Sequence, residues 1–230
     1  MSDSHVVAPH AAELRHHFAD MEQQRDASTL GMWLFLVTEI MFFGGMFCAY
    51  LIYRLNHFAD FAAASGTLDL RLGAVNTAVL IGSSVTVVLA VYAAQMGNRR
   101  QLVMWLLVTV LLGLTFLGIK AVEYNEKFEH HHVPGPSFSF DAPVPGHPHM
   151  KADPKHAELF FSLYFAMTGM HALHMIIGVG LFTSLAYMAW RGRYTKEYHT
   201  PIENAGLYWH FVDIIWIYLF PLLYLISRHH

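Results

Sequence analysis

Several short stretches of this 230-residue chain hold ionisable side chains among apolar ones, and each suggests a chemistry. In "WLFLVTEIMFFGGMF", Trp33 to Phe47, Glu39 is the single charged residue. A carboxyl group in water-poor surroundings either stays neutral and donates a hydrogen bond or is held ionised by a partner. Glu39 is therefore a candidate for an interhelical bond or a proton relay. "GMHALH" spaces His171 and His174 so that they lie almost on one helix face, where two imidazoles could meet a metal or a haem iron. Lys120 and Glu123 have the same spacing, which suits an ion pair on one helix. His210 and Asp213, in "HFVD", repeat it, and a haem held by the "GMHALH" pair would need its second ligand from His210.

The elements that must position these groups are membrane helices. The composition is 55% hydrophobic and 13% charged, with a mean hydropathy of +0.36, more apolar surface than a soluble domain needs. Runs long enough for a bilayer, roughly 20 residues each, occur at 32–53, 73–95, 102–122, 158–190 and 205–226. The expected fold is an all-α integral membrane bundle of five transmembrane helices spanning residues 32–230, the fourth long enough to tilt or project into water. Residues 1–31 read as a polar tail without a signal-peptide core. Cys48, the single cysteine, excludes an intramolecular disulfide. Arg15, Arg25, Arg99, Arg100, Arg191, Arg193 and Lys196 fall on one side, five of them in short connectors, which puts the N-terminus in the cytoplasm and the C-terminus outside.

A charged group at membrane depth costs at least ~2.5 kcal/mol, so Glu39, Lys120, His171, His174, His210 and Asp213 are expected to turn away from lipid. By depth along their helices, Glu39, His174 and His210 could share one level. A catalytic di-metal bundle would need several carboxylates and Glu-x-x-His motifs; the membrane offers Glu39 and the boundary residues Glu123 and Glu158. The favoured reading is of histidines bonded to neighbouring helices, lipid or a partner, with no metal site. Residues 124–157 hold a Pro/His-rich stretch, "EHHHVPGPSFSFDAPVPGHPHMKADPKH" at its centre, read as a solvated connector rather than a metal site. Gly44, Gly45, Gly82, Ser83 and Ser84 are expected to let spans approach closely.

"WLFLVTEIMFF", "VNTAVLIGSS", "IKAVEYNEKF", "LYFAMTGMHALHMIIGVG" and "ENAGLYWHFVDIIWIYLFPLLYLI" resemble, in order, the signature helices of subunit III of the haem-copper terminal oxidases, above all cytochrome c oxidase. The usual subunit III has seven helices; this chain matches the last five, as five-helix bacterial forms do. The resemblance implies a non-catalytic subunit of a proton-pumping oxidase in aerobic respiration, in a bacterial plasma membrane. Haem and copper would lie in partner subunits, and none in this chain. It would pack directly on subunit I, in a complex with subunit II and possible further respiratory subunits. It would bind phospholipid, no nucleic acid, and sustain proton uptake and the stability of subunit I. Glu39, Lys120, Glu123, His171, His174, His210 and Asp213 would be buried polar, lipid or subunit I contacts, none catalytic. Subunit III of a quinol oxidase, or a nitric-oxide-reductase accessory protein, is the alternative.

Overall fold

A computed structural model describes residues 18–145 and 147–225. Among the described residues, five long helices are apolar enough to cross a membrane: α1 (Met21–Asn56), α3 (Leu70–Gln95), α4 (Arg99–Glu129), α5 (Pro154–Trp190) and α6 (Thr200–Tyr224). A short helix, α2 (Phe58–Gly66), follows α1, and a two-stranded antiparallel ribbon, β1 (Pro143–Val144) with β2 (His147–Lys151), precedes α5. The protein is an all-α membrane bundle.

Local chemistry sets the helix ends. Asp20, Asp69, Asn98 and Asp153 each accept backbone N–H bonds at the starts of α1, α3, α4 and α5, with Pro154 opening α5. Gly97 (φ 72°) and Gly192 (φ 77°) close α3 and α5 in the left-handed conformation. The caps lie beyond the apolar runs, so the helices outlast the expected spans at most of their ends. α1 starts at Met21, because "MEQQRDAS" is polar but made mostly of good helix formers; residues 21–31 of the polar tail are thus helical, and its residues 1–17 fall outside the described residues. At 36 and 37 residues, α1 and α5 are roughly 55 Å long, well beyond a ~30 Å hydrocarbon core.

The 124–157 connector also differs from a solvated loop. α4 continues to Glu129, Phe140 and Val144 are buried, and His132 stacks on Phe161 of α5 with ring centroids 5.0 Å apart. The aromatic residues scattered between the prolines fold the segment back onto the end of the bundle. Burial pushes His132 down to about 4, helped by Lys127, so the ring is neutral at pH 7.

α6 is the most enclosed of the long helices and α1 the least. α6 packs against α1, α3 and α5, while α4 packs on α3 and α5. Trp209 of α6 fits between backbones: a Cβ added at Gly113 would lie 2.8 Å from its ring, and one at Gly178 3.0 Å. Its indole N–H donates to Ser83 Oγ at 2.9 Å. Close approach therefore uses Gly113 and Gly178. Gly44, Gly45 and Gly82 have nothing within 4 Å of an added Cβ, because they lie on exposed faces of α1 and α3, and they join no spans within this chain.

Candidate functional site

Two polar clusters are built inside the bundle. The first surrounds Lys120, 2% exposed, near the end of α4. Its ammonium donates to Glu123 Oε2 at 3.0 Å, Tyr164 Oη at 3.2 Å and Tyr224 Oη at 3.1 Å, using all three protons. Both tyrosines then donate to Glu123 Oε1, Tyr164 at 2.7 Å and Tyr224 by a shorter contact. Glu123 is fully buried, so the i, i+3 ion pair is sealed rather than interfacial. The rings of Tyr124, Tyr164, Trp216 and Tyr224 all lie within 5.8 Å of the ammonium and enclose its charge. α4, α5 and α6 meet here, with every donor and acceptor of the pair matched.

The second cluster joins α1 to α5. His174 Nε2 lies 3.1 Å from Glu39 Oε2, and His174 Nδ1 lies 2.8 Å from the Met170 carbonyl oxygen. A carbonyl only accepts, so Nδ1 carries a proton and donates it. The Nε2 contact then needs one more proton, whether on Glu39 as a neutral acid or on His174 as an imidazolium facing a carboxylate. Glu39 and His174 together therefore hold one proton between two basic atoms. The side chains are 19% and 11% exposed, at the rim of the bundle rather than in its centre. Leu34, Val37, Ile40 and Met41 are exposed around Glu39 on α1.

The other candidates stand apart from these clusters. His171 is 1% exposed, with its ring between Phe116 and Trp216, whose centroids lie 5.3 and 5.2 Å away. Neither of its nitrogens has a hydrogen-bond partner among the described residues. His171 and His174 thus do not converge on a shared site; one faces α4 and α6, the other α1. His210 is not beside Glu39 either. It bonds Ser84 Oγ at 2.7 Å and lines, with Asp213, an apolar groove of about 330 Å³ between α3 and α6. Asp213 is 3% exposed, and among the described residues neither of its oxygens has a hydrogen bond of good geometry, the hydroxyl of Ser84 being its polar neighbour. The shared level of Glu39, His174 and His210 is not a shared site, because α6 turns His210 towards α3. Sequence reasoning did not mark Tyr164, Tyr224 or Trp216, since an aromatic in a membrane span reads as packing.

The family model described as cytochrome c oxidase subunit III matches residues 11–131 and 154–228. The unmatched interval holds the His132 segment and the β-ribbon. The chain is similar to cytochrome c oxidase subunit 3 of Thermostichus vulcanus, at 31% identity over 88% of this chain and 89% of that one. It is also 31% identical to cytochrome bo(3) ubiquinol oxidase subunit 3 of Pseudomonas aeruginosa, over 96% and 97%. Cytochrome c oxidase subunit 3 of Gallus gallus is 33% identical over 84% of this chain and 67% of its own length.

Proposed function

Because the chain belongs to the cytochrome c oxidase subunit III family, we propose that it packs directly on subunit I of a haem-copper terminal oxidase and sustains proton uptake there, carrying no redox metal itself. The chain is a respiratory oxidase subunit, and the oxygen chemistry belongs to haem and copper in subunits I and II. The residues most able to ligate a metal in the membrane are committed elsewhere: His174 to Glu39 and Met170, and His171 to aromatic packing. Phospholipid covers part of the exposed apolar surface. The membrane is the bacterial plasma membrane, with the N-terminus in the cytoplasm. The similarity to cytochrome c oxidase subunit 3 supports cytochrome c as the donor to the complex, and the near full-length similarity to a ubiquinol oxidase subunit 3 supports quinol as the second reading.

The observation that carries this reading is the contact of Glu39 with His174 at the rim of the bundle, where both side chains stay partly exposed. Glu39→Gln tests it. Glutamine preserves the shape, and its amide N–H can donate to His174 Nε2, so packing survives while the ionisable carboxyl is lost. The assembled oxidase should keep its haem spectra and its initial rate, then lose activity sooner than wild type over many turnovers. Oxygen consumption followed at several pH values measures this. An initial rate near zero would make Glu39 an obligatory relay, and a trace identical to wild type at every pH would make the carboxyl purely structural.

A further inference from the structure

Beyond the membrane clusters, His57, Asp60 and His156 bring one ligand atom each to within 4.8 Å of one another. They come from separate places in the sequence. His57 links α1 to α2, Asp60 lies in the first turn of α2, and His156 in the first turn of α5. His156 Nδ1 lies 2.7 Å from Asp60 Oδ2, and the two imidazoles stack with centroids 3.6 Å apart at 25°. The side chains of His156 and Asp60 are 32% and 18% exposed, so solvent reaches them.

We propose that His57, Asp60 and His156 form a binding site for a zinc-class divalent cation, at the end of the bundle opposite the start of α1. Two imidazoles and one carboxylate are the donor set that suits zinc, with a fourth position left for water. Calcium or magnesium would ask for more oxygens. Metal–ligand bonds of about 2.0–2.2 Å put tetrahedral donors roughly 3.3 Å apart; the donor atoms here lie within 4.8 Å of one another, and binding requires the two stacked rings to rotate until their nitrogens converge on one ion. The carboxylate is already oriented, because Asp60 Oδ1 accepts the Asp153 backbone N–H at 3.0 Å. Asp153 Oδ2, 3.9 Å from His156 Nδ1, adds a second negative group on the rim.

The hydrogen bond between His156 and Asp60 ties α2 to α5, and the His57 ring stacked on His156 brings a second imidazole beside the same carboxylate. Against a cation stand the positive ends of two helices, α2 and α5, which meet here. Asp60 and Asp153 offset them, so Asp60 is the group whose loss weakens binding most.

The test uses the assembled oxidase, purified without a histidine tag, stripped with chelator and dialysed against micromolar zinc sulfate. Wild type should retain one zinc more than Asp60→Asn and His57→Ala, and zinc-edge X-ray absorption of that ion should show two imidazoles. In wild type alone, zinc should protect His57 and His156 from diethylpyrocarbonate, mapped by peptide mass spectrometry, so the result does not depend on the variants assembling. Equal zinc content in all three proteins, or unchanged modification of both histidines in the presence of zinc, would overturn the site.

Discussion

Lys120 and Glu123 satisfy each other so completely that neither is tolerable alone. With Lys120 at 2% exposure and Glu123 fully buried, removing one partner strands a charge in the bundle, a loss of about 3–5 kcal/mol for a buried pair. Lys120→Met and Glu123→Gln should each lower the thermal stability of the purified protein sharply. The double variant should recover a large part of the loss, because no unpaired charge remains; a double variant as unstable as the sum of the singles would mean that the pair itself is not the unit. This pair was legible from spacing, since i, i+3 neighbours of opposite sign need only one helix. The tyrosines that complete it, Tyr164 and Tyr224, were not, because their contact with Glu123 joins three helices and depends on how those helices rotate. The contact of Glu39 with His174 was hidden for the same reason: sequence fixes depth along a helix, and packing fixes the side.

Among elements, the α4–α5–α6 contact turns on two glycines. A methyl at Gly113 would sit 2.8 Å from Trp209 and 2.9 Å from Val179, so Gly113→Ala should destabilise by roughly 1–3 kcal/mol through overpacking. Gly82→Leu, on an open face of α3, should leave the isolated subunit unchanged in the same melting assay. If instead it weakens recovery of the whole oxidase, that face of α3 meets another chain. Apolar run length predicted the five spans well, because it reports burial in lipid. It could not locate α2 or the folded connector, whose stability comes from contacts such as Ser65 Oγ to the Leu223 carbonyl and His132 to Phe161. The connector carries its own prediction. His132 stays neutral when docked, down to about pH 4, whereas a free histidine protonates near 6.5. Undocked chain therefore binds more protons between those values, and docking weakens as pH falls from 6.5 towards 4. Hydrogen exchange of residues 130–144, corrected for intrinsic rates, should rise on acidification, and His132→Phe should flatten that rise.

On the scale of the whole molecule, the bundle is closed by the last of its long helices. α6 is the most enclosed of the five, and Tyr50 Oη and Ser65 Oγ cap its final carbonyls at Leu222 and Leu223. A ribosome makes it after all the surfaces it joins. Until α6 enters the bilayer, the slot between Gly113 and Gly178 has no indole to fill it, Ser83 lacks its donor, and Lys120 and Glu123 wait without Tyr224. A nascent chain carrying only the first four spans is thus a protein with its polar interior unsealed, open to membrane proteases and to chaperones that hold unfinished helices. A fault in α6 therefore leaves all of these surfaces unsealed at once, whereas a fault in α1, the least enclosed of the five, leaves most of them closed.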